Sequence, residues 1–165
     1  MGDVHIRDAC ATDAAAIAAV YNTYITETAV TFDTEPVGVE ERREWLARHD
    51  HDHPVVIAEV EGKVVGWGAL SRWAHRPAWH RTAEVSIYVA REHHGEGVGH
   101  ALMEALIVRG RDAGHHVLIG QIVAGNTASL AMAEHAGFER AGVLREVGDK
   151  LGSYHDLVLM QRILS

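Results

Sequence analysis

The amino-acid sequence predicts an α/β or α+β sandwich, in which a mixed central sheet carries helices on its faces. Apolar or alternating stretches and helical patterns follow one another in the order β α α β β β α β α β β. Apolar residues make up 47% of the chain and charged residues 23%, which is a normal globular balance. The length of 165 residues suits one domain, residues 1–165, with a sizeable core.

The N-terminal half of the chain predicts a strand, two helices and a hairpin. The stretch DVHIRDA alternates as a short strand does, and Thr12 is suited to cap the helix that follows. A second, charged helix is predicted over 39–48, after the loop ETAVTFDTEPVG. The letters EGK between two apolar runs predict a hairpin within PVVIAEVEGKVVGWGALSRW. The first helix has apolar residues at helical spacing, namely Ile17, Val20, Tyr21, Tyr24 and Ile25.

The C-terminal half predicts alternating strands and helices. TAEVSIYVA is a strand that runs into a glycine-rich turn, and a helix begins near Val98. HHVLIGQIVA is the next strand, and Asn126 is suited to cap a helix that ends at Gly137. FERAGVLREV and YHDLVLMQRIL predict two final strands.

Bulk properties exclude several classes of function. The net charge of −8 disfavours binding to a nucleic-acid backbone, and the absence of a run of about 18 apolar residues disfavours a membrane span. The N-terminus lacks an apolar signal segment, which predicts a cytoplasmic protein. Cys10 is the only cysteine, so no internal disulfide forms. The stretch HDHDH at 49–53 is predicted to be a solvated loop, and no metal site is expected.

The glycine-rich turn REHHGEGVGHAL lies between a strand and a helix. It contains no Gly-Lys-Ser or Gly-Lys-Thr, as a Walker loop would, and its glycine spacing does not fit the dinucleotide fingerprint. Two interpretations remain. Successive N–H groups at the helix start can bind a pyrophosphate, or the glycines serve only the geometry of a tight turn.

The turn and its surroundings resemble the GNAT-type N-acetyltransferase superfamily, whose loop signature is Gln/Arg-x-x-Gly-x-Gly/Ala, with His94 here in the first position. The stretches YNTYITETAVTFDTEP, EVSIYVAREHHGEGVGHALMEALI, AGNTASLAMAEHAGFERAGVLREVG and HDLVLMQRIL resemble the phosphinothricin and methionine sulfoximine acetyltransferase branch. The resemblance covers most of the chain. It implies a mostly antiparallel sheet, a splayed acetyl-CoA cleft and a homodimer.

The resemblance assigns cofactor contacts to three segments. The strand edge would pair with the pantetheine arm of acetyl-CoA, and the N–H of Val89 would polarise the thioester carbonyl. Asn126 would bond the pantetheine arm, a role compatible with capping a helix, and His135 would reach the far end of the cofactor. The assigned residues are Ile87, Tyr88 and Val89 on the strand, then Gly95, Glu96, Gly97, Val98, Gly99 and His100 around the pyrophosphate.

Glu84 is the predicted catalytic base. It lies three residues before Ile87 on the same strand and matches the acidic position of the family. An amine attacks a thioester only when neutral, and a nearby carboxylate can take its proton. The alternative is a solvent-facing glutamate on a half-exposed strand.

One position departs from the family pattern. Many members carry Tyr or His four residues before the Gly-Phe of HAGF, where it protonates the departing thiolate, but this chain has Ala133. A CoA thiol with a pKa of about 8.5 is a tolerable leaving group without help. Water or Tyr154 is the alternative donor.

The acceptor pocket is predicted in SRWAHRPAWHRTAE, just before Glu84. Arginine binds carboxylates in a bidentate fork, so an arginine here would orient an amino acid, unless the segment is only a solvated loop. The resemblance implies a pocket made by Arg72, Arg76, Pro77, Ala78 and Trp79, with Phe32 as a wall.

The predicted function is transfer of acetyl from acetyl-CoA to the α-amine of a small amino-acid-like molecule, such as methionine sulfoximine, methionine sulfone or phosphinothricin. An acetyltransferase acting on a protein N-terminus or a polyamine is the second hypothesis. A non-catalytic acyl-CoA-binding module is the third, and only Ala133 favours it.

Overall fold

Seven strands and four helices form the fold in the computed structural model, which describes residues 2–165. The predicted order of elements is confirmed. The elements are β1 Val4–Asp8, α1 Ala14–Glu27, α2 Val39–Ala47, β2 Val55–Val60, β3 Lys63–Arg72, β4 Thr82–Val89, α3 Val98–Asp112, β5 Val117–Val123, α4 Thr127–His135, β6 Glu139–Lys150 and β7 Ser153–Ile163.

The strands form one mixed sheet in the order β1-β2-β3-β4-β5-β7-β6. The pair β4–β5 is parallel and the other five neighbouring pairs are antiparallel, which confirms the mixed, mostly antiparallel sheet. Helices α3 and α4 pack on one face, with Leu102, Leu106 and Leu130 in the core. Helices α1 and α2 cover the other face, around Ile17, Ile25 and other residues. Helices therefore cover both faces of the sheet, as the pattern of elements predicted.

The start of α1 differs from the sequence prediction. The apolar stripe Ile17–Ile25 is buried as expected, but Thr12 does not cap the helix. It lies inside a 3-10 turn, Ala11–Asp13, and α1 begins at the next residue, Ala14. Asp13 instead accepts hydrogen bonds from the guanidinium of Arg7 at 2.9 Å and from the Cys10 N–H at 2.8 Å. The ion pair with β1 therefore fixes where the helix starts.

The other predicted turns agree with the structure. Glu61 and Gly62 connect β2 and β3, and Asn126 caps α4 by accepting a hydrogen bond from the Ser129 N–H at 3.3 Å. Gly137, with φ of +87°, follows α4 in the left-handed conformation. The last two strands are longer at their shared turn than predicted, and they pair as a hairpin.

The histidine-rich loop makes local contacts. His49 hydrogen-bonds the Trp45 carbonyl at 2.9 Å and Ser71 at 3.3 Å, while His53 pairs with Asp50 at 2.9 Å. Across residues 2–165 no three His, Cys, Asp or Glu side chains come together as metal ligands would. In the same part of the chain, no helix has the length and apolarity needed to cross a membrane.

Candidate active site

The sheet opens between β4 and β5. These strands pair only between Thr82–Glu84 and Val117–Ile119, and then separate. The Ala90 N–H bonds the Val65 carbonyl of β3 at 2.8 Å. Because backbone groups alternate in direction along a strand, those of Ile87 and Val89 face the opening and those of Tyr88 face β3. Two of the three predicted edge residues thus offer free backbone groups to a ligand.

A cleft of about 1210 Å³ fills this opening and continues between the sheet and α1 and α2. It brings together most of the predicted site residues: Phe32, Glu84, Ile87, Tyr88, Val89, Gly95, Gly97, Val98, Gly99, His100 and Asn126. The other predicted residues are not among those that line it: Glu96, His135, Arg72, Arg76, Pro77, Ala78 and Trp79.

The glycine loop has the backbone of an anion-binding nest. Gly95 and Gly97 have φ of +78° and +83°, which glycine adopts without strain. Gly97 is the N-cap of α3, and its carbonyl accepts from the Ala101 N–H at 3.1 Å. The N–H groups of residues 98–100 precede this first helical bond, and no side chain of the described chain caps α3. Free donors and the helix dipole therefore meet where a pyrophosphate would bind.

Glu96 and His135 lie beside this loop. Glu96 pairs with the His93 Nδ1 at 2.7 Å. His135 is exposed on α4, and its ring packs edge-on against His100 with the centroids 5.2 Å apart. Through His100, His135 is next to the cleft without lining it.

Glu84 is half-buried near the point where β4 and β5 separate. Its register partner on β3 is Ser71, which also lines the cleft, and Gln121 of β5 donates a hydrogen bond to its carboxylate. Burial raises the pKa of Glu84, and the bond from Gln121 acts in the opposite direction. A carboxylate with a raised pKa binds a proton more strongly, which suits a general base.

His94 does not point its ring into the phosphate loop. Its Nε2 lies 2.7 Å from the Tyr24 hydroxyl and 3.1 Å from the Val89 carbonyl. Tyr24 also donates to that carbonyl. These contacts occupy the Val89 carbonyl. The Val89 N–H stays free and faces the opening between β4 and β5. Sequence reasoning assigned Tyr24 only to the core, because its spacing in α1 fits a buried stripe.

Ala133 lines the cleft with 2% of its surface exposed, so no proton donor acts from this position. Tyr154 is 68% exposed on the hairpin and is not among the cleft residues. Ser129 lies four residues before Ala133 on α4 and lines the cleft, so it presents a hydroxyl on the same helix face.

Phe32 is held in place by the β6–β7 hairpin. Gly148 of β6 lies so close to the Phe32 ring that any side chain there would overlap it. The Lys150 Nζ donates to the carbonyl of Thr31 at 2.7 Å, and both residues are buried. The aromatic wall of the cleft is therefore supported from a distant part of the chain.

The arginines of the predicted acceptor pocket lie at the end of β3 and in the segment that follows it. Arg72 is opposite Ala83 at the end of that strand, and Arg76 precedes a 3-10 turn formed by Pro77–Trp79. All these side chains are exposed, Trp79 by 43%. A different arginine, Arg42 of α2, lines the cleft. The sequence indicated only a charged surface helix there, and the single available signal was an arginine one turn before Trp45.

Known proteins resemble this chain along almost its whole length. The sequence pattern of the acetyltransferase (GNAT) family matches residues 17–138. An L-methionine sulfoximine/L-methionine sulfone acetyltransferase of Pseudomonas paraeruginosa is 35% identical over 94% of this chain and 92% of its own.

Two solved structures share the fold. A GNAT superfamily phosphinothricin acetyltransferase from Sinorhizobium meliloti, in complex with acetyl-CoA, superimposes with a TM-score of 0.92 at 30% identity, over 98% of this chain and 89% of that one. A ribosomal-protein-alanine N-acetyltransferase from Brucella melitensis gives 0.94 at 38% identity, over 97% and 99%.

Proposed function

This chain belongs to the GNAT family of acetyltransferases, and on that premise we propose that it acetylates the α-amine of a small amino-acid-like molecule. Acetyl-CoA is the acetyl donor of this enzyme. The observation that carries the acceptor proposal is the half-buried Glu84 carboxylate, which lies at the mouth of the β4–β5 opening beside the predicted thioester position. The name of the Pseudomonas relative supports the amino-acid class.

The residues of the chain fit acetyl-CoA in two places. Free N–H groups at the start of α3 would hold the pyrophosphate, and Gly95 and Gly97 leave open space where it approaches. The backbone of Ile87 and Val89 would pair with the pantetheine arm, together with Asn126. The bound cofactor supplies an activated acetyl thioester.

The proposed proton transfer uses Glu84. Its carboxylate accepts a proton from the ammonium group of the acceptor, directly or through one water, and Gln121 keeps the carboxylate oriented. The Val89 N–H stabilises negative charge on the acetyl oxygen as an oxyanion donor. As the C–N bond forms and the C–S bond breaks, the second proton of the attacking nitrogen leaves to water. The thiolate takes a proton from water, directly or relayed through the Ser129 hydroxyl, which regains its own proton from that water, since Ala133 offers none.

The acceptor side of the proposal retains Arg72 and Arg76. Ser71 lines the cleft opposite Glu84, and Arg72 follows it on β3, so the segment after β3 begins at the acceptor end of the cleft. One of these arginines would bind the α-carboxylate in a fork. Phe32, Pro77, Ala78 and Trp79 would surround the apolar part of the acceptor.

We expect amino-acid acceptors to be preferred over their carboxyl amides. A charged hydrogen bond contributes about 1.5–3 kcal/mol, so kcat/KM should fall on the order of 10- to 100-fold when the carboxylate is lost. The measurement is thiol release from acetyl-CoA with methionine sulfone, phosphinothricin and their amides. Amides that react as well as the acids would contradict an arginine fork.

The same assay tests the second candidate, a protein N-terminal acetyltransferase. The similarity to the Brucella ribosomal-protein-alanine enzyme favours this candidate. A short peptide with N-terminal alanine and a polyamine serve as the competing acceptors. Turnover restricted to them would contradict the amino-acid proposal, and acetyl-CoA binding without turnover of any amine would favour a non-catalytic module.

We further propose that two copies of the chain form a homodimer through the β6–β7 edge. We also propose that the protein is cytoplasmic. The edge strand β6 and its hairpin expose a row of apolar side chains, which a second copy would cover. Val143, Leu144, Val147 and Leu151 are 51%, 44%, 53% and 63% exposed. The exposed, unpaired Cys10 is compatible with a reducing compartment.

Sedimentation should therefore give about twice the chain mass of 18.0 kDa. Leu144→Asp should shift the protein towards the monomer, because a charge in an apolar interface is unfavourable. Val108→Asp on α3, where the native side chain is 54% exposed, is the matched control. A wild-type protein that sediments as a monomer would contradict this part of the proposal.

A further inference from the structure

Arg42 is a buried cation without a partner. Its residue is 6% exposed, yet it lines the cleft. Within residues 2–165 its guanidinium forms neither an ion pair nor a hydrogen bond. An uncompensated buried charge is costly, so such a group normally binds an anion.

Three aromatic rings hold this guanidinium in place. Its central carbon lies 4.3 Å from the centroid of Trp45, 4.9 Å from that of Tyr21 and 5.6 Å from that of Trp67. The rings come from α1, α2 and β3, so the position of the guanidinium is set by three elements. Cation–π contacts stabilise the charge but leave its N–H donors unpaired.

A second unpaired donor lies at the same place. Among residues 2–165, three buried side-chain nitrogens lack a hydrogen-bond partner, and two of them are the Arg42 Nε and the Trp67 Nε1. Both residues line the cleft. Neither the protein backbone nor another described side chain pairs with these two nitrogens, and each has less than 1 Å² of exposed surface. An acceptor oxygen of a ligand in the cleft would therefore meet the terminal nitrogens of the guanidinium first, and would reach the two buried donors as the side chains shift towards it.

Neighbouring acidic groups do not fill this role. Asp33 and Glu41 lie close enough to favour the charged form of Arg42, but neither forms an ion pair or a hydrogen bond with it. The Asp33 carboxylate accepts a hydrogen bond from the Tyr21 hydroxyl, which also contacts Thr31 at 2.9 Å. The anion for Arg42 therefore has to come from outside the chain.

We propose that Arg42 and Trp67 form an anion subsite in the acceptor part of the cleft, which holds an anionic oxygen group of the acceptor. This inference rests on the proposed acetylation of an amino-acid-like molecule. Tyr88 lies between the subsite and the proposed base, Glu84. Its ring centroid is 5.1 Å from that of Trp67, and its hydroxyl is close enough to feel the charges of Glu84 and Arg42. The group is either the α-carboxylate, in which case Arg72 or Arg76 binds the side-chain oxygens, or a side-chain phosphinate, in which case one of those arginines binds the α-carboxylate. Both groups share the same fork chemistry.

The experiment compares Arg42→Met with the matched control Arg43→Met. Arg43 is exposed on the same helix, pairs with Glu40 and does not line the cleft. We expect Arg42→Met to raise the acceptor KM by about 10- to 100-fold, with kcat and acetyl-CoA affinity nearly unchanged. The control should leave all three quantities unchanged.

Three acceptors identify the group that is held. Phosphinothricin carries both anions, methionine sulfone only the carboxylate, and the carboxyl amide of phosphinothricin only the phosphinate. A carboxylate subsite predicts a rise in KM for the first two, and a phosphinate subsite predicts it for the first and third. No rise for any compound, or an equal rise for all three, would overturn the inference.

A second variant separates binding from folding. Trp67→Phe keeps an aromatic ring beside Arg42 and removes one donor, so it should raise the acceptor KM several-fold. The smaller ring leaves a cavity in the core, so Tm should also fall by a few degrees, while the acetyl-CoA affinity of the folded variant stays unchanged. An unchanged KM for all three compounds would contradict the role of the Trp67 N–H.

The two proposals fail in different ways. A wild-type enzyme that acetylates none of the amino acids contradicts the proposed function. In that case calorimetric titration of phosphinothricin in the presence of CoA still tests the subsite. Binding by the wild type but not by Arg42→Met would support it, and equal binding or none would overturn it.

Discussion

Replacing Glu84 by glutamine should lower kcat by about 10²- to 10⁴-fold, the usual cost of removing a general base. Glutamine keeps the size of the side chain and its contact with Gln121, but it cannot accept a proton from the acceptor amine. The affinity for acetyl-CoA should stay unchanged, because the phosphate loop and the edge of β4 are intact. Steady-state kinetics and calorimetric titration of acetyl-CoA measure the two quantities separately.

The pH dependence gives this prediction a second readout. Burial raises the pKa of Glu84, so the carboxylate becomes protonated at a higher pH than an exposed glutamate would. Wild-type kcat/KM should fall as the pH drops through that raised pKa, because only the ionised form accepts a proton. In Glu84→Gln this acid limb should be replaced by one at the pKa of the acceptor amine, because without the base only the neutral amine reacts. Full turnover of the variant between about pH 6 and 9, where amines also titrate, would show that Glu84 is not the base.

Two further variants serve as controls for Glu84. Glu104→Gln changes an exposed carboxylate on α3 and should leave the profile unchanged. Gln121→Met removes the hydrogen bond that favours the ionised form, so the acid limb should move to higher pH.

Valine in place of Gly97 should abolish measurable acetyl-CoA binding. Gly97 has φ of +83°, and a branched side chain in the left-handed region costs roughly 1–2 kcal/mol or more. The space beside its Cα is open, so the valine side chain would extend to where the phosphates approach the free N–H groups of α3. The combined effect should exceed about 100-fold in Kd by calorimetry.

His94→Ala should change the same Kd little. The imidazole of His94 contacts the Tyr24 hydroxyl and the Val89 carbonyl, whereas the proposed phosphate contacts come from backbone donors. Gly38→Val is the matched control for Gly97→Val, because Gly38 has an ordinary φ of −75° and open space around it. Equal losses in the His94 and Gly97 variants would mean that the imidazole itself holds the cofactor.

Local patterns in the sequence were sufficient to predict the order of elements and to single out many of the residues that line the cleft. Helical spacing, turn residues and the glycine loop act within a few residues, so α3, α4 and their caps agree with the structure. Thr12 failed as a cap because the Arg7–Asp13 ion pair, which involves a neighbouring strand, sets the start of α1.

Contacts between distant elements were not predictable in this way. Gln121 meets Glu84 only because β4 and β5 pair over three residues before they separate. Arg42 reaches the cleft because three rings from different elements surround it, and nothing within α2 alone indicates that burial. The proposed acceptor side of the cleft depends on such long-range packing more than the proposed cofactor side does.

The anchoring of Phe32 on the β6–β7 hairpin has an evolutionary consequence. Gly148 and Lys150 fix the loop that carries Phe32 at the proposed acceptor end, whereas the proposed donor loop lies between β4 and α3. Drift along the far edge of the sheet can therefore reshape what is acetylated while the donor half stays under constraint. The same fold, at 30% and 38% identity, carries names as different as phosphinothricin and ribosomal-protein-alanine acetyltransferase. A lineage can thus acquire a new acceptor through substitutions that never touch the acetyl donor.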